Sequence, residues 1–338
     1  MVISTGTIIR TVLVLVGFWF LFIIREVVGM MLVAILLAAL LDPIAEFFEK
    51  RKIPRSISVI AVYLIIFVLL GVLLVAIIPP MIEQVRGVIV NFGSLWQKVV
   101  NSFEALRSIS ARYGLEANFQ NSVRTLSDTL EVPFANLFAT VGSVFSGIFS
   151  FFIILVISFF LVVEKNSIRG VVTTLIPPQH QDYVHGLTAR MQRKVGQWLI
   201  GQLVLMLFVG VLAYIGLLVF GVDYALLLAV IAGVTEIIPY VGPVIGAVPA
   251  VFFAAAQSPT KGIIVLALYF VIQRIENMIL VPKVMQKTTG LNPVLAIVSI
   301  AIGYIVGGIA GVLLSIPVAT ALNVLLSDYM ERQSRQTA

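Results

Sequence analysis

The chain has 338 residues, 60% of them hydrophobic and only 11% charged, with a mean hydropathy of +1.10. A soluble domain carries about 25% charged residues, so an ordinary soluble enzyme is excluded and a polytopic membrane protein is indicated. The net charge of +6 lies in short clusters between apolar runs rather than on one polar face, which argues against nucleic acid as a partner, and the absence of cysteine excludes disulfides, thiolate metal sites and cysteine nucleophiles.

Apolar runs long enough to cross a hydrocarbon core of about 30 Å recur along the chain. The first stretch, Ile8 to Ile24, has an apolar run from Thr11 to Ile24 that follows Arg10 as a signal peptide would, but no small-residue cleavage pattern follows and it reads as a retained span. The second, Val27 to Leu41, ends at Asp42-Pro43. The segment Lys50-Arg51-Lys52-Ile53-Pro54-Arg55 holds four cations in six residues, marking a cytoplasmic loop and placing the amino terminus inside. The third span, Ile57 to Ile78, is expected to stop at Pro79-Pro80.

From Met81 to Asn136 the chain is polar enough to leave the bilayer. Ile82, Val85, Ile89, Phe92, Trp96, Val99, Phe103 and Leu106 recur in steps of three and four, the spacing of a helix–helix seam. An oligomer seam and an amphipathic helix lying on the membrane or on its own protein both fit that periodicity. The fourth span, Leu137 to Val163, returns inside. The following segment carries Lys165, Arg169, Arg190, Arg193 and Lys194, with His180 and His185 read as surface histidines.

After a fifth span, Trp198 to Phe220, an apolar run from Tyr224 to Ala256 contains Glu236 and is broken by Pro239, Pro243 and Pro249. Beyond the next run, Gly262 to Val281, the segment Pro293 to Leu326 is interrupted by Gly303, Gly307, Gly308, Gly311 and Pro317. A shift of 65 residues lays Val241–Val248 over Val306–Leu313 without a gap, which reads as an internal repeat. Re-entrant hairpins in both places would keep Lys283, Lys287, Arg332 and Arg335 inside and leave Lys261 outside, relating the two halves by inverted topology. The expected fold is therefore an all-α polytopic membrane protein with six transmembrane helices and two broken re-entrant hairpins, or eight spans. Its predicted parts are three helices over 1–78, an extracytoplasmic amphipathic segment over 79–136, the fourth helix over 137–163, a cytoplasmic amphipathic linker over 164–196, and a unit over 197–330 whose repeat pairs 197–256 with 262–326.

An ionisable side chain beside a helix break at membrane depth is by default a functional candidate, so Glu236 leads. The alternative role is structural, accepting hydrogen bonds from amides freed by the prolines. Tyr269, Gln273 and Glu276 share one helix face, and Arg274 and Asn277 share a neighbouring one. Tyr240 with Gly242 and Gly246, and Tyr304 with Gly307 and Gly311, stand at the hairpin tips beside the helix-breaking Pro239 and Pro317; exposed carbonyls there could hold a polar solute or a sodium ion near Glu236, and close packing without any ligand fits equally. No cofactor and no resident metal is indicated.

Several of these motifs resemble one family. Glu236-Ile237-Ile238-Pro239-Tyr240-Val241-Gly242-Pro243, Gln273-Arg274-Ile275-Glu276-Asn277 with Pro282, Gly290-Leu291-Asn292-Pro293 and Ile316-Pro317-Val318-Ala319 look like the AI-2E family of bacterial transporters, as do the paired first spans and Asp42-Pro43. The resemblance covers nearly the whole chain. It implies a transporter in the inner membrane, with autoinducer-2 export as the namesake activity, monovalent cation/proton antiport in some members, and homo-oligomers resembling pentamers. Under it, 197–330 is a transport unit and the C-terminus, like the N-terminus, is cytoplasmic. An intramembrane enzyme and a structural scaffold are the competing classes. The sequence lacks His-Glu-x-x-His, Gly-x-Gly-Asp and a phosphate loop ending in Lys-Ser or Lys-Thr, and a scaffold would leave Glu236 and Glu276 without a role.

Overall fold

The computed structural model describes residues 23–102, 153–164, 176–282 and 291–337, with positions 6, 12, 14, 16, 17, 19, 20 and 151. The regular structure among them is helical, and the chain is an all-α polytopic membrane protein. Four of the described helices are long and apolar enough to cross a membrane: Val27–Glu49, Pro178–Val219, Pro259–Leu280 and Pro293–Ser334. In chain order the helices are α1 (Arg25–Glu49), α2 (Arg55–Ser102), α3 (Ile153–Val163), α4 (Pro178–Val219), α5 (Ala225–Thr235), α6 (Gly242–Gln257), α7 (Pro259–Ile275, continued by a π-turn over Glu276–Leu280) and α8 (Pro293–Thr337).

Two helices run through prolines expected to end them. α1 passes Pro43 and continues to Glu49, because Leu41 and Ala45, on either side of the proline, are both buried and hold the helix against its neighbours. A proline removes one donor and crowds the carbonyl one turn back, and tertiary packing can outweigh that. The carbonyl one turn back is that of Ala39, and it lies against Gly196. α2 likewise passes Pro79-Pro80. Beyond them Met81, Val85 and buried Val88 pack on a hydrophobic cluster, and the Gln84 side chain accepts from the Leu227 amide at 2.9 Å. On the expected seam, Ile82 is exposed and Val85 half-buried. The side chains of Ile89, Phe92, Trp96 and Val99, and all of Phe103 and Leu106, lie outside the described residues.

The chain forms two compact units. One comprises Met1–Val62, Gly147–Gly196 and Leu291–Ala338. Its polar ties are Arg55, which binds Asp42, Glu49 and the Val162 carbonyl, and Asp328, which accepts from Tyr183 at 2.5 Å and pairs with Arg190 and Arg332. The other comprises Tyr63–Ser146 and Gln197–Gly290 and holds an apolar core in which Leu217, Leu228, Ala250, Phe253 and Val265 are almost wholly inaccessible.

Both broken segments fold back on themselves. α5 and α6 pack side by side around the turn 236–241, with Gly246 against Ala232. In α8 the backbone leaves helical geometry at Gly307 and Gly308, the latter at φ +57. Gly303 and Gly311 then touch through their backbones, although eight residues of straight helix would separate them by about 12 Å.

Candidate functional site

The site grows from the turn between α5 and α6. Glu236 caps α5, its amide still bonded to the Ala232 carbonyl at 3.2 Å. Pro239 ends the helical ladder and Tyr240 turns the chain at φ +68. Gly242 then begins α6 so close to the Thr235 carbonyl that any β-carbon would collide with it. The amides of Ile237, Ile238, Val241 and Gly242 bond to the carbonyls of Val234, Thr235, Pro239 and Ile238. The turn therefore satisfies these amides with its own backbone, and they do not occupy the Glu236 carboxylate.

That carboxylate is 2% exposed and interacts with the Glu276 side chain. Glu276 is also buried and accepts from the Gln273 amide at 3.1 Å. It opens the π-turn that follows α7, and the extra residue in that turn changes the direction in which its side chain leaves the helix. Gln202, buried in α4, donates its amide to the Glu236 carbonyl and fixes the turn from a third helix. Among the described groups, Oε2 of Glu236 and the hydroxyl of buried Tyr269 have no hydrogen-bond partner.

Two carboxylates this close in a low-dielectric interior repel each other unless a proton or a cation lies between them. A site of this kind can carry either. Among the described residues no group of three or more His, Asp or Glu side chains is arranged as a metal centre.

The sequence-predicted residues divide. Glu236, Gln273 and Glu276 come together, and Pro239, Tyr240 and Gly242 shape the turn, although the Tyr240 ring itself is exposed. Arg274 and Asn277 are exposed on the neighbouring face, Arg274 lying over the Phe270 ring at 4.9 Å. Tyr304, Gly307, Gly311 and Pro317 belong to the other compact unit. Tyr304 is exposed there, and Pro317 lines a cavity. Sequence reasoning missed Gln202, whose only signal was a single amide among the apolar residues of the fifth span. It also missed the π-turn, which no residue pattern announced.

The family described as AI-2E family transporter matches residues 8–331. Among curated relatives, YrrI of Bacillus subtilis strain 168, which bears a transport-protein name, is 25% identical over 94% of this chain and 90% of its own length. PerM of Escherichia coli K12, which bears a permease name, is 24% identical over 96% and 94%. TqsA of the same strain, named as an AI-2 transport protein, is 22% identical over 91% and 88%.

Proposed function

Because the chain belongs to the AI-2E transporter family, and so is a membrane transport protein, we propose that it is a secondary transporter that exports autoinducer-2 or a similar small polar solute by alternating access. The name of the relative TqsA supports the solute class. The observation that carries the reading is the buried adjacency of Glu236 and Glu276 at a broken helix. A proton or cation that enters this pair changes its charge, and a ligand that binds one conformation better than another shifts the balance between them. Residues 197–330 are the mobile transport unit under this reading, the hairpin around Glu236 re-enters the membrane from outside, and the protein works in the inner membrane as a homo-oligomer with both termini cytoplasmic.

The same pair supports a second reading, monovalent cation/proton antiport, in which sodium and a proton alternate between the two carboxylates. Reconstituted vesicles separate the readings. Flux of autoinducer-2 that responds to a pH gradient supports export, whereas sodium flux with counter-movement of protons and no solute flux supports antiport. In either case Glu236→Gln, which keeps size and hydrogen bonding, is expected to remove the response to the pH gradient. Wild-type coupling in that variant would sink the assignment of the pair.

A further inference from the structure

The compact unit that lacks the carboxylate pair contains a cavity of about 320 Å³ among α1, α3, α4 and α8. Its walls run from Leu32 to Asp42 on α1, from Thr188 to Val195 on α4 and from Leu314 to Ala321 on α8. Apart from Asp42, Thr188 and Gln192 the lining is aliphatic, methionine or proline. At 1.5 Å per residue the α1 wall is about 15 Å long, half of a hydrocarbon core of about 30 Å and therefore the depth of one leaflet.

The polar wall residues lie where the helices leave their apolar stretches. α1 passes Asp42 and ends two turns later in exposed Lys50, Arg51 and Lys52. α4 reaches the cavity at Thr188 and Gln192, both exposed, and the next residue after Gln192 is exposed Arg193. Of the carboxylates at this end of α1, Asp42 and Glu49 are both engaged by Arg55, and Glu46 lies exposed between them. The Thr188 hydroxyl donates to the Val184 carbonyl at 2.5 Å, and exposed Gln192 and Arg193 follow it on α4.

We propose that this cavity is a lipid site, in which one acyl chain of an anionic phospholipid fills the apolar slot while Lys50, Lys52 and Arg193 hold its phosphate. An apolar slot one leaflet deep with cations at its polar end matches an amphiphile with a negative head. A small polar solute would leave the aliphatic walls without a complement. The cavity lies within one compact unit and includes neither Glu236 nor Glu276, so the site is argued from other residues than the carboxylate pair, although its α8 wall belongs to the span 197–330 that the transport reading takes as mobile.

The test uses delipidated full-length protein in mild detergent and counts retained lipid by native mass spectrometry. Phosphatidylglycerol is expected to bind saturably at one per chain and at least tenfold more tightly than phosphatidylcholine with the same acyl chains. Glycerol phosphate, a head without a chain, is expected not to bind. Ala38→Phe and Ala321→Phe fill the slot from two different walls, and each is expected to abolish the retained phosphatidylglycerol. The surface variant Lys50→Gln/Lys52→Gln/Arg193→Gln leaves the packing untouched and is expected to bring phosphatidylglycerol down to the phosphatidylcholine level, at about fivefold per cation. Equal retention of the two lipids by the wild type, a filled slot that still retains phosphatidylglycerol, or a charge variant that still discriminates would each overturn the proposal.

Discussion

The two hairpins of this chain close by the same device and end in different chemistry. In both, a glycine brings one arm against the backbone of the other: Gly242 against Thr235 in the first, Gly311 against Gly303 in the second. The first takes six residues to reverse, 236–241, and its turn carries a buried carboxylate. The second reverses at Gly307-Gly308, between exposed apolar residues such as Ile305, Val306 and Ile309. The 65-residue match that aligns Gly242 with Gly307 therefore sets the first residue of a returning helix over the reversal itself, about one helical turn out of step. The two matched stretches share the capacity for close backbone approach, while the connection determines which residues stand at the tip and whether the tip is polar.

The sharpest way to break this comparison is to give both aligned glycines a side chain. Gly242→Ala drives a methyl group into the Thr235 carbonyl, whereas a β-carbon at Gly307 meets nothing within 4 Å. Overpacking a fixed backbone contact costs about 1–3 kcal/mol. Gly242→Ala is thus expected to lower the folded yield on size exclusion or the vesicle flux by about tenfold or more, and Gly307→Ala is expected to stay close to wild type. Equal damage from both would mean that the tips are structurally equivalent after all.

A smaller effect is expected from Glu276→Gln. It removes one charge of the pair but keeps an acceptor for Gln273, so flux should fall several-fold while the response to a pH gradient survives through Glu236. Loss of that response in Glu276→Gln, with Glu236→Gln unaffected, would reverse the roles of the two carboxylates. Gln202→Leu should be milder still. It leaves the buried Glu236 carbonyl without its donor, a cost of about 1–3 kcal/mol. Thermal stability in detergent is expected to drop by a few degrees, with flux reduced but its pH response retained. An unchanged melting curve would show that α4 does not hold the turn.

The last test leaves energetics alone and asks where the hairpins lie in the membrane. Because the chain has no cysteine of its own, single cysteines can be placed at 261 and 285 and labelled from either side. Re-entry of both segments expects labelling of 261 from outside and of 285 from inside. Labelling of 285 from outside alone would make each segment a full crossing.

Composition and periodicity alone determined that the chain is a helical membrane protein, since burying 60% hydrophobic residues with 11% charge leaves few other solutions. They also singled out Glu236, because an acid among apolar residues and prolines is costly wherever it sits, and they placed Tyr269, Gln273 and Glu276 on one face because helical spacing does so. Tertiary structure decided the rest. Pro43 and Pro79-Pro80 look like helix ends until packing of Leu41, Ala45 and Val88 is seen to carry the helices past them. Gln202 lies 34 residues before Glu236, and no local pattern reveals that its amide caps that carbonyl. Glu236 and Glu276 are 40 residues apart in sequence. The turn over 236–241 and the π-turn at Glu276 place the two carboxylates, and both depend on backbone geometry that the local sequence pattern does not announce.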